Sequence, residues 1–310
     1  MSIFLSYFRD FFKSIHVGLL LFCGVFAALL IFLNYHFGIE PKILLHISNR
    51  FIRFAGFYLV YFCAFFFPYL VWLLLKGKRL TELKPLLCLV FIAPAIFALK
   101  VSFGGLTDLM EHSIGETWGK YYGIIVNLPS RLVLVLLSLL LVWWIGQFEK
   151  PFFGVTLKNF NRKPYLLMLL IMIPLISWAS SQNDFLHTYP KMRQVASISV
   201  NTRYPWLYNL LFEISYGIDF ITIELFFRGF LVLAFVRYAG QEAILPMAVF
   251  YCSIHFGKPL AECISSFFGG MILGIVVYRT RTIIGGLIVH LGIAWMMEAG
   301  GYIGNVIKGG

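Results

Sequence analysis

Ionisable side chains are concentrated in one long apolar segment of the chain, residues 207–236. That segment contains Glu213, Asp219, Glu224 and Arg228, whereas every other predicted apolar segment contains at most one Asp, Glu, Lys or Arg. A charged residue inside a hydrocarbon-embedded helix costs about 2.5–3.5 kcal/mol on insertion scales, and such residues usually face protein or water. Four of them in one segment indicate a functional interior rather than a lipid-facing surface.

Glu224 is a candidate for the centre of a catalytic site, because two later apolar segments each contain a histidine. They are His255 and, in the last segment, His290. Arg228 lies four residues after Glu224 and shares its helix face, so a structural ion pair is one interpretation. His255 and His290, each taken alone, are explained by hydrogen bonds between helices. Together, a glutamate and two histidines on three segments supply a base and polar hydrogen-bonding groups in a low-dielectric interior. The combination favours acid–base catalysis.

The order of these residues resembles the three-motif pattern of the CPBP family, which includes the type II CAAX prenyl endopeptidases and the bacterial Abi bacteriocin-immunity proteins. The resemblance covers about residues 205–300, and the first 200 residues contribute only hydrophobicity. The motifs that carry it are Glu224-Leu-Phe-Phe-Arg228-Gly229-Phe230, then Tyr251-x-x-x-His255, and then His290.

The resemblance implies an intramembrane endopeptidase that cleaves peptide bonds near the membrane surface with an activated water. It implies that His255 orients that water together with the motif glutamate, and that His290 donates to the oxyanion. Arg228 would hold the glutamate motif in place. Tyr251 stands where the family usually has Phe, which is a mild change.

Two positions depart from the family pattern. The leading glutamate of the first motif, usually taken as the base, is Ile223 here, and the Asn expected four residues after His290 is Ala294. Glu224 could replace the missing base; Asp219 could also do so, but only after a shift of about 6 Å along the helix axis. A missing oxyanion donor lowers the rate by about 10²–10³. Both a slow protease and a catalytically silent relative, acting in bacteriocin immunity or as a membrane scaffold, are therefore consistent with the sequence.

Two further functions are alternatives. A metal-dependent hydrolase would use Glu224, His255 and His290 as zinc ligands. The chain has no HExxH motif, however, which would place two zinc-binding histidines on one helix. A transporter would also bury charges, but no interrupted pair of half-helices is evident. Zinc is thus a possible metal, and otherwise no cofactor is expected.

The elements that position these residues are membrane helices. Hydrophobic residues make up 60% of the 310 and charged residues 13%, against about half and a quarter in soluble domains. Backbone groups in hydrocarbon must pair within their own segment, and the apolar runs are too long for barrel strands. The sequence therefore predicts an all-α, polytopic transmembrane helix bundle of about 8–9 spans. The predicted spans are 15–36, 54–75, 85–103, 131–147, 164–180, 207–236, 243–257, 260–278 and 283–303.

The predicted organisation is one membrane-embedded unit, with N-terminal transmembrane helices in 1–204 and a CPBP-like catalytic core in 205–303. The first apolar run indicates a retained transmembrane helix rather than a cleaved signal peptide. Basic residues lie in 76–84, in 147–163 and beside Arg279, which with nine spans places the N-terminus in the cytoplasm. The basic loop 181–204 falls on the opposite side and does not fit this orientation. We expect an integral protein of a bacterial inner membrane.

The net charge of +11 does not indicate nucleic-acid binding. Basic residues such as Lys76, Lys78, Arg79 and Lys84 sit in short tracts beside apolar spans, where they set topology and contact anionic lipids. The five cysteines form no CxxC pair and predict neither a disulfide framework nor a zinc site. The expected partners are membrane lipids and a peptide or protein substrate, with a lipidated substrate among the alternatives.

Overall fold

The computed structural model describes residues 2–77, 83–102, 105–158, 160–196, 198 and 202–308; Lys78 and Arg79 of the predicted basic loop lie outside these ranges. Within them the regular structure is helical and contains no β-strand, so the all-α prediction is confirmed. The α-helices are α1 (Ser2–Ser14), α2 (Val17–Phe37), α3 (Arg50–Lys76), α4 (Lys84–Ser102), α5 (Gly105–Ile114), α6 (Glu116–Ile145), α7 (Arg162–Ala179), α8 (Asn183–Thr188), α9 (Pro205–Glu224), α10 (Val236–Ala239), α11 (Ile244–Ser253), α12 (Leu260–Thr280) and α13 (Ile284–Ile307).

Seven helical stretches in the described part of the chain are long and apolar enough to cross a membrane. They are α2, α3, the stretch Lys84–Ile114 that contains α4 and α5, α6, α7, α12 and α13. The chain is therefore an integral membrane protein built from helices, as its composition predicted.

The predicted sixth and seventh spans differ from the helices observed. The sixth is α9 followed directly by a π-helix, Leu225–Ala234. The seventh is corrected: α11 has only 10 residues, and the chain then turns before Pro259. Ten residues rise about 15 Å, half of the hydrocarbon thickness of about 30 Å. The orientation derived from nine spans stays a prediction.

The chain forms two compact units, and the first comprises Met1–Ser102, Ser138–Phe160 and Leu225–Ile283. Its central element is α11, all of whose residues are buried. α11 packs against α2, α3 and α12, and the π-helix packs against α11 and α12. A helix that is apolar on every face must be surrounded by other elements, so hydropathy alone made this buried helix look like a membrane span.

The second unit comprises Phe103–Leu137, Asn161–Glu224 and Ile284–Gly310. In this unit α13 packs against α7, α8 and α9. Small residues allow the close approach of α7 to α13, because a Cβ at Gly292 would lie 2.7 Å from the Leu169 side chain. Each unit includes residues from both sides of position 204, and the predicted division there stays a prediction.

Candidate active site

In the second unit the structure brings Glu224 and His290 into contact. Glu224 is the last residue of α9 and is fully buried, while the His290 side chain on α13 is 14% exposed. Nδ1 of His290 lies 3.0 Å from Oε1 of Glu224. These two atoms are within hydrogen-bond distance, and Nδ1 is the donor whenever the carboxylate is ionised, because an ionised carboxylate only accepts. The pair places a carboxylate and an imidazole together in a largely dry interior.

Two neighbours fix the geometry of this pair. Phe220 lies one helical turn before Glu224, and its ring packs edge-on against the imidazole of His290 with centroids 4.8 Å apart. Gly286 lies one turn before His290, and a Cβ at that position would overlap Oε2 of Glu224. The i, i+4 spacing on each helix is the sequence signal that could have identified both neighbours.

In the first unit a second group contains Arg228, Tyr251 and His255. Arg228 is completely buried, and its guanidinium carbon lies 4.0 Å from the centre of the Tyr251 ring. The Tyr251 ring in turn contacts the His255 ring edge-on, with centroids 4.7 Å apart. A desolvated cation over an aromatic face is worth about 2 kcal/mol or more. Tyr251 therefore lies between a buried cation and the candidate catalytic histidine.

His255 is not in a helix. α11 ends at Ser253, and His255 lies in the turn that follows, where its own N–H donates to the carbonyl of Cys252 at 3.0 Å. Nδ1 of His255 lies 2.8 Å from the Tyr251 carbonyl, which can only accept, so Nδ1 is the protonated nitrogen. In the neutral imidazole, Nε2 then accepts hydrogen bonds. The predicted position of His255 near the end of a spanning helix is corrected to a turn after a short buried helix.

The comparisons with known proteins point to one family. Residues 205–296 match a family described as type II CAAX prenyl endopeptidase Rce1-like. Residues 205–296 are therefore similar to that family. The match confirms the family that the three motifs predicted, and it includes both groups of candidate residues. No curated protein and no solved structure matches the chain.

In the Rce1-like segment, residues 205–296, the two positions that depart from the family pattern carry buried apolar side chains. Ile223 is 7% exposed and Ala294, one turn after His290 on α13, is 3% exposed. Asp219 is half-buried on α9, and its role as a replacement base stays a prediction. The role predicted for Arg228, which is to hold the glutamate motif in place, also stays a prediction.

Metal binding by the Rce1-like segment remains an alternative hypothesis. Within either unit, the described residues contain no group of three His, Cys, Asp or Glu side chains that could hold a metal ion. The zinc ligand set of Glu224, His255 and His290 stays a prediction.

Substitution of Gly286 by alanine should disturb the Glu224–His290 pair, because the added methyl group overlaps the carboxylate. Overpacking of this kind destabilises proteins by about 1–3 kcal/mol. The measurement is the melting temperature of the detergent-solubilised protein, followed by tryptophan fluorescence. The matched control is Gly269→Ala on α12, where a Cβ meets nothing within 4 Å. That control should be neutral or stabilising by up to about 1 kcal/mol. Equal melting temperatures for the two variants would contradict the packing described for Gly286.

Proposed function

We propose that the Rce1-like segment is an intramembrane endopeptidase in which the Glu224–His290 pair handles the proton of the attacking water. The observation that carries this proposal is the 3.0 Å contact between Nδ1 of His290 and Oε1 of Glu224. A buried carboxylate compensates the positive charge of an imidazolium, which makes proton transfer feasible where water is scarce. The His290 side chain is 14% exposed, which gives the pair access to a reactant.

The reaction that suits this pair is peptide hydrolysis. The water gives one proton to the carboxylate of Glu224 while its oxygen bonds to the carbonyl carbon of the scissile peptide. When the His290 ring is protonated on both nitrogens, its Nε2–H donates a hydrogen bond to the oxyanion that forms and keeps its own proton. The carbon–nitrogen bond then breaks, and the proton held by Glu224 passes to the leaving amine. Water and the chain's own residues suffice for this sequence of steps.

His255 takes the water-orienting role that the family resemblance implies. Its Nδ1 is committed to the Tyr251 carbonyl, so Nε2 of the neutral ring accepts a hydrogen bond from water. Tyr251 and the buried Arg228 fix the ring in this orientation. We further propose a bacterial inner membrane location with a cytoplasmic N-terminus, lipids as neighbours, and a peptide or protein substrate that is either lipidated or unmodified.

A catalytically silent relative is the second candidate function. The observation that favours it is the burial of Ile223 and Ala294, which occupy with apolar side chains the two positions where the family has a carboxylate and an amide. Such a protein would act by binding, in bacteriocin immunity or as a membrane scaffold.

The proposed activity is tested with the full chain in liposomes and a library of membrane-tethered peptides, half of them prenylated on cysteine. Cleavage is read by mass spectrometry for the wild type and for single alanine variants of Glu224, His255 and His290. Each variant should lower turnover. Unchanged turnover in all three would contradict the proposal, and cleavage confined to one half of the library would identify the substrate class.

A further inference from the structure

The turn that carries His255 is held by side chains from the end of α2, the first long apolar helix. Nδ2 of Asn34 donates to the Phe256 carbonyl at 2.9 Å. The hydroxyl of Tyr35 donates to the Lys258 carbonyl at 2.5 Å. Both carbonyls belong to residues outside regular helices. The Asn34–Phe256 hydrogen bond is buried, where a carbonyl left without a partner would be costly.

Asn34 connects this turn to the segment after α2. The residue is fully buried in an otherwise apolar helix, and its Oδ1 accepts the backbone N–H of Glu40 at 2.9 Å. A buried amide is costly unless its hydrogen bonds are made, and here both its donor and its acceptor are used. In the sequence, only its position at the end of an apolar run distinguishes this residue, which is a weak signal.

Glu40 completes the set of contacts. Its Oε1 lies so close to Gly257 that a Cβ there would be 2.9 Å away. Asn34, Glu40 and Tyr35 thus contact Phe256, Gly257 and Lys258, the three residues that follow His255. Three successive contacts from a distant part of the chain indicate a device that fixes the turn.

We propose that residues 34–40 form a clamp that positions His255, and that Asn34 is the main positioning residue. This 34–40 clamp gives the N-terminal part of the chain a role in the reaction, and in that respect it rests on the proposed endopeptidase function. Asn34 acts through the Phe256 backbone, one residue from His255. Its contribution is to hold the imidazole in the orientation set by Tyr251, so that Nε2 meets the water at a fixed angle.

The clamp is tested by hydrogen–deuterium exchange of the full chain in lipid nanodiscs. Asn34→Leu keeps the side-chain size and suits a membrane helix, but it removes both hydrogen bonds. Amide exchange in residues 254–258 should become about 3- to 10-fold faster, which is the effect of losing net hydrogen-bond free energy. The matched control is Leu19→Ala, which removes a buried side chain from the same helix far from the turn. Unchanged exchange in Asn34→Leu, or equal acceleration in Leu19→Ala, would overturn the clamp.

A kinetic measurement separates positioning from general stabilisation. In Asn34→Leu, kcat should fall at least about tenfold with KM unchanged, because a displaced water-orienting group harms the chemical step more than binding. Faster exchange together with an unchanged kcat would overturn the positioning role. If the wild type cleaves no peptide, the endopeptidase proposal fails, and the exchange result still decides whether the clamp exists.

The clamp should also depend on pH through Glu40. Burial raises the pKa of this carboxyl from 4.5 to about 7, against the opposing effect of Lys258 in the turn. The charged and titratable groups around it are Lys258, which is paired with Glu262 at 3.7 Å, Tyr61 on α3, and Lys42 on its own segment. The raised pKa means that the folded state binds the Glu40 proton more tightly than the unfolded state does. Protonation of Glu40 therefore stabilises the fold fully below about pH 4.5, and this stabilisation is lost as pH rises through about 7.

Exchange in residues 254–258, corrected for intrinsic rates, should therefore accelerate from about pH 5 to about pH 8 and then level off. Glu40→Gln should remove this dependence, whereas Glu116→Gln, at an exposed position on α6, should retain it. A Glu40→Gln protein with the full pH dependence would show that another group controls the turn.

Discussion

Replacement of Glu224 by glutamine should lower kcat by about 10³, equivalent to about 4 kcal/mol of transition-state stabilisation, and should leave KM nearly unchanged. Glutamine has the shape of glutamate and its amide oxygen still accepts from His290, so the buried pair loses its charge and its basicity but keeps its packing. The proton of the attacking water then has no acceptor, and the imidazolium loses the negative charge that compensates it. The measurement is turnover of a cleaved tethered peptide by the protein in liposomes.

Two controls make this result specific. The melting temperature shows whether Glu224→Gln is folded, since the residue is fully buried. Asp219→Asn on the same helix tests the alternative base and should change kcat by less than about threefold, far below the contribution of a general base. A large loss in Asp219→Asn with little loss in Glu224→Gln would reverse the assignment of the base.

The second large effect is expected from restoring the family's oxyanion donor. Ala294→Asn places an amide one turn after His290, and one well-placed donor to an oxyanion is worth about 10²–10³ in kcat. Adding Ile223→Glu to this variant restores the leading carboxylate as well. Under the endopeptidase proposal, a weakly active wild type becomes substantially faster in Ala294→Asn and faster again in the double variant.

Both positions are buried, so the substitutions also carry a stability cost of about 1–3 kcal/mol from overpacking. Ala299→Asn is the matched control, because it adds the same amide to an exposed position of α13. It should leave kcat unchanged. Activity that appears only in the restored variants, from none in the wild type, would support the silent relative instead. Equal activity in the wild type and both restored proteins would show that neither position faces the reaction.

The sequence by itself determined that most of the protein surface faces lipid and that its secondary structure is helical. Long apolar runs cannot expose unpaired backbone groups to lipid, so helices followed from hydropathy alone. It also selected Glu224, His255 and His290 as candidate site residues, because ionisable residues in apolar segments are costly enough to stand out, and their catalytic roles stay a prediction. The family of residues 205–296 followed from the spacing of these residues, and the comparison confirmed it.

The limits of sequence analysis appear at α11 and at the His255 turn. Hydropathy does not distinguish a buried helix surrounded by protein from one surrounded by lipid, since both environments favour the same side chains. Hydropathy therefore predicts a span over residues 243–257, where the structure has the 10-residue helix α11. The turn after Ser253 and the position of His255 within it became apparent only from the packed unit.

Tertiary structure alone decided which polar groups meet. Glu224 and His290 are 66 residues apart, and Asn34 is 222 residues from Phe256. Helical periodicity reports which face a residue occupies, but the choice of facing partner depends on how closely two helices approach. At Gly286 that approach is set by the absence of a single methyl group beside the Glu224 carboxylate. Local patterns therefore specified the chemical groups, and close packing between distant segments specified their pairing.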